Sequence, residues 1–112
     1  MQNIPEWQSR TAIILGPEGV RKLAAANVLV VGVGGVGAMA AEMLCRAGVG
    51  KMTIVDGDVV EATNRNRQLP ALVSSDGMAK TDVMFHRLKD INPECDVRIV
   101  CEFLKDDRMT DV

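Results

Sequence analysis

An α/β fold with a parallel sheet is predicted by three features of this 112-residue sequence. Runs rich in β-branched residues alternate with stretches of helical periodicity. The runs are apolar throughout rather than at every second position, as in strands covered on both faces. Glycine or proline marks most of the joints between them. The resulting order, strand–helix–strand–helix–strand, is half of a doubly wound sheet.

The elements follow in chain order. Residues 5–15 are expected to form a short helix anchored by Trp7, Ile14 and Leu15. Gly16-Pro17-Glu18 interrupts it. Pro17 suits the first turn of a second helix and Glu18 its positive end, with the helix running to about Ala25. Asn27 to Val33 is the first strand, and Gly34 to Gly37 form a turn. Val36, Met39, Ala40, Met43, Leu44 and Ala47 then recur at helical spacing, and Gly48 and Gly50 end that helix. Met39, Met43 and, later, Met84 are assigned to the core. Lys51 to Asp56 is the second strand, and 57–74 is a polar loop with one short turn. Residues 75–91 are predicted helical, with Ala79, Val83, Met84, Leu88 and Ile91 on the inner side, until Asn92-Pro93 stops them. Asp96 to Phe103 is the third strand. The chain thus divides into N-terminal helices (1–26) and a strand–helix–strand–helix–strand unit (27–112). Three parallel strands leave two unprotected edges and a small core, so the unit is expected to be the N-terminal part of a larger doubly wound domain.

Composition narrows the function classes. Hydrophobic residues make up 47% and charged residues 25%, as in ordinary globular domains. Aromatics are only 3%, so aliphatic side chains and methionine must build the core. The net charge of −2 offers no global attraction to nucleic acid or anionic membrane. The cysteines, Cys45, Cys95 and Cys101, are odd in number and include no Cys-x-x-Cys pair. That speaks against a disulfide framework and against a zinc site, and favours a reducing, cytoplasmic setting. Pro5, Glu6 and Arg10 interrupt the N-terminus where a signal peptide needs an apolar stretch, and no apolar run approaches the ~20 residues of a membrane span.

Gly32-Val33-Gly34-Gly35-Val36-Gly37 matches G-x-G-x-x-G between a strand and a helix, the context that gives the pattern meaning. Gly32, Gly34, Gly35 and Gly37 let the backbone turn tightly and approach a phosphate, which the helix N-terminus then attracts. Asp56 ends the second strand, roughly 20 residues on, where a carboxylate accepts hydrogen bonds from ribose hydroxyls in Rossmann-like domains. No G-K-[ST] follows the glycines, which argues against a P-loop kinase. On the glycines alone NAD is favoured. The loop after Asp56, however, reads Asp-Gly-Asp-Val-Val-Glu-Ala-Thr-Asn-Arg-Asn-Arg-Gln, and Lys80 follows in Gly-Met-Ala-Lys. Hydride transfer gains little from so many cations near phosphates. Cleavage of a phosphate anhydride needs them, because charge builds on the leaving pyrophosphate.

These residues carry a resemblance. Gly-x-Gly-Gly-Val-Gly, Asp-x-Asp-x-Val, Thr-Asn-x-Asn-Arg-Gln and Gly-x-x-Lys resemble the ubiquitin-activating-enzyme-like superfamily, which includes the molybdopterin- and thiamine-biosynthesis adenylyltransferases. Residues 41–50, 66–72 and 83–97 are similar to one branch of it, the tRNA threonylcarbamoyladenosine dehydratases. The resemblance spans nearly the whole chain and implies ATP-dependent adenylation of a carboxylate, with dehydration of threonylcarbamoyladenosine in tRNA to its cyclic form. It implies that the four glycines line the phosphates, that Asp56 holds the ribose, and that Asp58 stands near ATP and its Mg2+. Asn64, Arg67 and Lys80 would contact phosphates, with Arg67 and Lys80 neutralising charge as pyrophosphate leaves. Arg10 resembles the arginine that enters the partner subunit's site in family dimers, so Arg10, Arg67 and Lys80 form the implied catalytic set. The implied partners are tRNA, a second copy of the chain and sulfur-transfer proteins. The acidic residue and substrate elements that the family carries after a later strand, and the metal-binding cysteines of some relatives, have no counterpart here. Two other readings stay open: adenylation of the C-terminus of a ubiquitin-like sulfur carrier, and a NAD-binding oxidoreductase module. The single histidine, His86, has no ligand-type partner at helical spacing and is set aside, as are the three cysteines.

Overall fold

The computed structural model describes residues 4–103, so the part of the predicted unit from 104 to 112 lies outside the described residues. A 3-10 turn, Glu6–Gln8, leads into α1 (Ser9–Ala24). Then follow β1 (Asn27–Val31), α2 (Gly35–Ala47), β2 (Lys51–Val55), two further 3-10 turns (Ala62–Asn66 and Val73–Ser75), α3 (Lys80–Ile91) and β3 (Asp96–Val100). The strands form one parallel sheet in the order β1-β2-β3, with Val30 beside Ile54 and Ile54 beside Ile99. The predicted alternation of strands and helices is thus observed. Gly16, at φ 73 and ψ 164, kinks α1 where the sequence predicts two helices.

The core lies between one face of the sheet and the pair α2–α3. Val30, Met52, Ile54 and Val97 point from the strands toward Ala38, Ala41 and Cys45 of α2 and Met84 and Leu88 of α3. Burying the Val, Ile, Met and Leu side chains of this set stabilises by roughly 1.5–3 kcal/mol each. The Cys45 Sγ–H donates to the Leu88 carbonyl at 3.4 Å. Burial pushes the Cys45 thiol up to about 11, and Cys95, also buried, is raised by the same desolvation. Both thiols are inert core groups, as expected from the sequence.

Four expectations are corrected. The inner face of α2 is Ala38, Ala41, Glu42 and Cys45, while Met39 and Met43 are half exposed. Small side chains let the helix lie close to the sheet, and the methionines turn away from it. Only Met84 of the three methionines is core. Second, β1 is covered on one face only: Leu29 and Val31 are exposed on the other, because α2 and α3 both pack on the Val30 side. Third, Trp7, Ile14 and Leu15 do not anchor the N-terminal helix, since all three are exposed. The second half of α1 holds the helix instead, through buried Val20 and the Gly50 N–H, which donates to the Leu23 carbonyl at 3.1 Å. Fourth, α3 begins at Lys80 rather than at 75. Residues 77–79 are drawn into pairing with the loop after β2: Gly77 N–H donates to Val60 O and Val60 N–H to Met78 O, each at 2.8 Å, and Val59 and Ala79 form an antiparallel bridge.

Candidate functional site

The carboxyl ends of the strands carry the site, the general location for ligands in open α/β sheets. Gly32 leaves β1 at φ 89, with its N–H donating to the Val55 carbonyl at 2.7 Å. The chain then turns directly into α2. A Cβ on Gly37 would stand 1.6 Å from the Gly32 carbonyl oxygen, so only glycine permits the turn to close this tightly. A Cβ on Gly35 would meet nothing within 4 Å, so this side of the turn is open to a ligand. No side chain caps α2 at Gly34. The first N–H groups of the helix are left for an anion, which the helix dipole also favours.

Asp56 is fixed beside this turn. Its Oδ2 accepts from the Val33 N–H at 2.9 Å, and its Oδ1 accepts from the Asp58 N–H at 2.8 Å. A carboxylate oxygen has more than one lone-pair direction, so both oxygens keep capacity for a ligand's hydroxyls. With Val31, Gly32, Val55, Asp58, Glu102 and Phe103, Asp56 lines a cavity of about 240 Å³.

The late start of α3 positions the cation. The Val59–Ala79 bridge sets Asp58 beside Lys80, whose N–H donates to the Asp58 carbonyl at 3.1 Å. The Lys80 side chain is buried, and its Nζ stands 3.6 Å from the Asp58 Oδ2. Asp58 itself is 57% exposed. The pair is therefore loose and half solvated, a contact of little stability that another anion can replace.

Asn64 lies on the 3-10 turn Ala62–Asn66, between β2 and α3, and Arg67 directly follows that turn. Asn64 is buried; its Oδ1 accepts from the Glu61 N–H at 3.0 Å, and its carbonyl accepts from Arg67 and Gln68. Asn64 thus shapes the loop. Arg67 is exposed, with Nη1 donating to Asn66 Oδ1 at 2.9 Å and to Thr63 O at 3.4 Å, so its guanidinium is folded back on its own loop. Arg10 is exposed on α1 beside Glu6, Trp7 and Ser9 and does not line the cavity at the glycine turn. The structure therefore brings together the glycines, Asp56, Asp58 and Lys80. It leaves Asn64 and Arg67 on the flanking loop, and Arg10 apart.

Two residues were missed from sequence. Gln68 packs its amide on the glycine turn, 3.4 Å from where a Gly34 Cβ would stand, and its Oε1 is buried without a partner. Its adjacency to Arg67 was the available signal. Glu42 was overlooked although an acid among Ala38, Ala41 and Cys45 stands out once the buried face of α2 is assigned correctly. His86 is exposed and makes an edge contact with Phe85. Among the described residues, no group of three His, Cys, Asp or Glu is gathered for a metal ion, and no helix is long and apolar enough to cross a membrane.

Known proteins share this fold. The ThiF family profile matches residues 8–112. The tRNA threonylcarbamoyladenosine dehydratase of Bacillus subtilis is 53% identical over 89 residues, which are 80% of this chain and 35% of that protein. The crystal structure of the E. coli tRNA N6-threonylcarbamoyladenosine dehydratase superposes with a TM-score of 0.92 at 42% identity, covering 95% of this chain and 44% of that one. Its complex with ATP gives a TM-score of 0.90 at 42% identity, over 96% and 46%. The chain spans less than half the length of these relatives. A profile that runs through the N-terminal helices, the glycine turn and the Asp58–Lys80 pair settles the kinship: the chain belongs to the ThiF family.

Proposed function

We propose that this chain supplies the nucleotide-binding half of an enzyme that adenylates the threonyl carboxylate of threonylcarbamoyladenosine in tRNA, leading to its cyclic form. The observation that carries the reading is a buried lysine, Lys80, held loosely by an exposed carboxylate beside an uncapped glycine turn. That combination suits a polyphosphate. The open side of the turn at Gly35 admits phosphates to the α2 N–H groups, and Asp56 accepts the ribose hydroxyls. Phosphate oxygens then replace Asp58 as the partner of Lys80. Asp58, so released, would supply one carboxylate to Mg2+, which would help neutralise the phosphate charge. Gly32, Gly34 and Gly37 shape the turn, and Asn64 holds the loop from which Arg67 reaches the phosphates once its guanidinium leaves Asn66 and Thr63.

The substrate carboxylate attacks the α-phosphorus, the bond to the bridging oxygen breaks, and pyrophosphate leaves. Lys80 and Arg67 stabilise the charge that gathers on it. The carbamoyl group then closes onto the activated carbonyl, and AMP departs. Positioning and electrostatics are the chief contribution of these residues. The test is AMP formation by the full-length protein with ATP and tRNA bearing threonylcarbamoyladenosine. The reading expects AMP in step with cyclic product. AMP formed only with a ubiquitin-like sulfur carrier would transfer the same site to the other substrate.

Arg10 fits this reading only from a second copy. It stands clear of the cavity of its own chain, while exposed Ile13 and Ile14 beside it offer an apolar surface to a partner. In a homodimer, a mixture of Arg10→Ala and Asp56→Ala subunits is expected to recover part of the activity that each variant lacks alone. Mixed dimers then hold one site with both defects and one with neither. No recovery after confirmed subunit exchange would return Arg10 to the surface.

A further inference from the structure

One buried carboxylate has no part in the site described above. Glu42, in the middle of α2, is 6% exposed. Its Oε2 accepts from the Arg46 Nε at 3.1 Å on the same helix, and its Oε1 accepts from the Arg87 Nε on α3. The Arg87 guanidinium holds the Glu42 carboxyl below the usual range, against burial, which pushes the other way; Arg46 adds to the lowering. Among the described residues, no other ion pair joins α2 to α3.

The placement of this link is what matters. α2 starts at Gly35 in the glycine turn, and Glu42 lies about two turns along it. α3 starts at Lys80, and Arg87 lies about two turns along it. The helices are thus tied at equal depth from the two ends that carry the phosphate-binding groups. Besides the bond from the Cys45 thiol, a weak donor, to the Leu88 carbonyl, the rest of their shared core is apolar, with Ala38 and Ala41 among Met84 and Leu88. Such contacts are non-directional and tolerate a small slide of one helix along the other. A charge-assisted hydrogen bond has a fixed length and direction. Fixing register is also the best-attested use of buried ionic groups, whose net contribution to stability is small.

We infer that Glu42 and Arg87 are positioning residues: their link sets the axial register of α3 on α2, and with it the distance from the Lys80 ammonium to phosphates held at the glycine turn. This rests on the role proposed for Lys80. Misplacement by about 1 Å can slow a reaction roughly 100-fold, so even a partial slide is measurable.

The test is single-turnover pyrophosphate release by the full-length protein, with Glu42→Gln, Lys80→Met and the double variant. Glu42→Gln keeps the volume and loses the charge. Its maximal rate is expected to fall about tenfold, with the KM for ATP changed by less than about threefold, because the register governs a contact that strengthens as charge develops. In the Lys80→Met background the Glu42→Gln change should have no further effect, since there is no ammonium left to misplace. A link that only stabilised the fold would slow both backgrounds by one factor and follow the melting temperature. Should Glu42→Gln fold poorly, Arg87→Met removes the link from its half-exposed end and must reproduce the non-additivity. Equal factors in the two backgrounds, or an unchanged rate in folded Glu42→Gln while Lys80→Met is slow, overturn the inference. A Lys80→Met enzyme as fast as the parent points instead to the assignment of Lys80, and the inference falls with it.

Discussion

Replacing Lys80 with methionine is expected to lower the maximal rate of adenylation by about 100-fold or more, the usual effect of removing one preorganised electrostatic donor. Methionine retains most of the buried stem and deletes only the ammonium. The fold should tolerate this. The ion pair it removes is long, at 3.6 Å, and its carboxylate partner is already half in water. The loss should fall on kcat rather than on KM, because ATP carries its phosphate charge before the reaction while the leaving pyrophosphate acquires more. Pre-steady-state pyrophosphate release checks this. A Lys80→Met enzyme with unchanged kcat and a raised KM would make Lys80 a ground-state phosphate ligand. Arg67→Ala is expected to act in the same direction, through a guanidinium that must first leave Asn66 and Thr63.

Asp56→Ala should instead weaken binding. The carboxylate holds two parts of the site, the Val33 N–H of the glycine turn and the Asp58 N–H of the following loop, and accepts the ribose hydroxyls in the proposed complex. Hydrogen bonds to a charged group contribute about 1.5–3 kcal/mol each, so the dissociation constant for ATP should rise by roughly 10- to 100-fold. Asp56→Asn keeps one acceptor oxygen and should fall between. Titration calorimetry on the full-length protein reads both. Binding within about twofold of the parent in Asp56→Ala would remove the ribose from the role of Asp56.

The parts of the site that were legible in sequence have local causes. Gly37 must be glycine because the Gly32 carbonyl oxygen sits where its Cβ would stand, Gly32 turns at φ 89, and Asp56 follows a strand whose end is marked by the apolar run. The parts that were not legible depend on contacts between distant residues. The start of α3 is set by the bridge from Ala79 to Val59, and residues 75–79 alone do not reveal that pairing. The buried face of α2 was misassigned because Met39 and Met43 outweigh Ala38 and Ala41 in hydrophobicity, whereas the close approach of helix to sheet selects for small side chains. That error also concealed Glu42, which is on the face that was taken for the outer one. For β1, a continuous apolar run marks a strand correctly but does not show whether a helix covers each face, and Leu29 and Val31 are open here.

Lys80 beside the glycine turn, with Arg67 on the flanking loop, suits this turn to a triphosphate rather than to a dinucleotide. The most direct measurement is calorimetric titration of the full-length protein with ATP and magnesium, and separately with NAD. Saturable ATP binding is expected to be at least about tenfold tighter than that of NAD, a difference of roughly 1.4 kcal/mol or more. NAD binding as tight as ATP or tighter would contradict it.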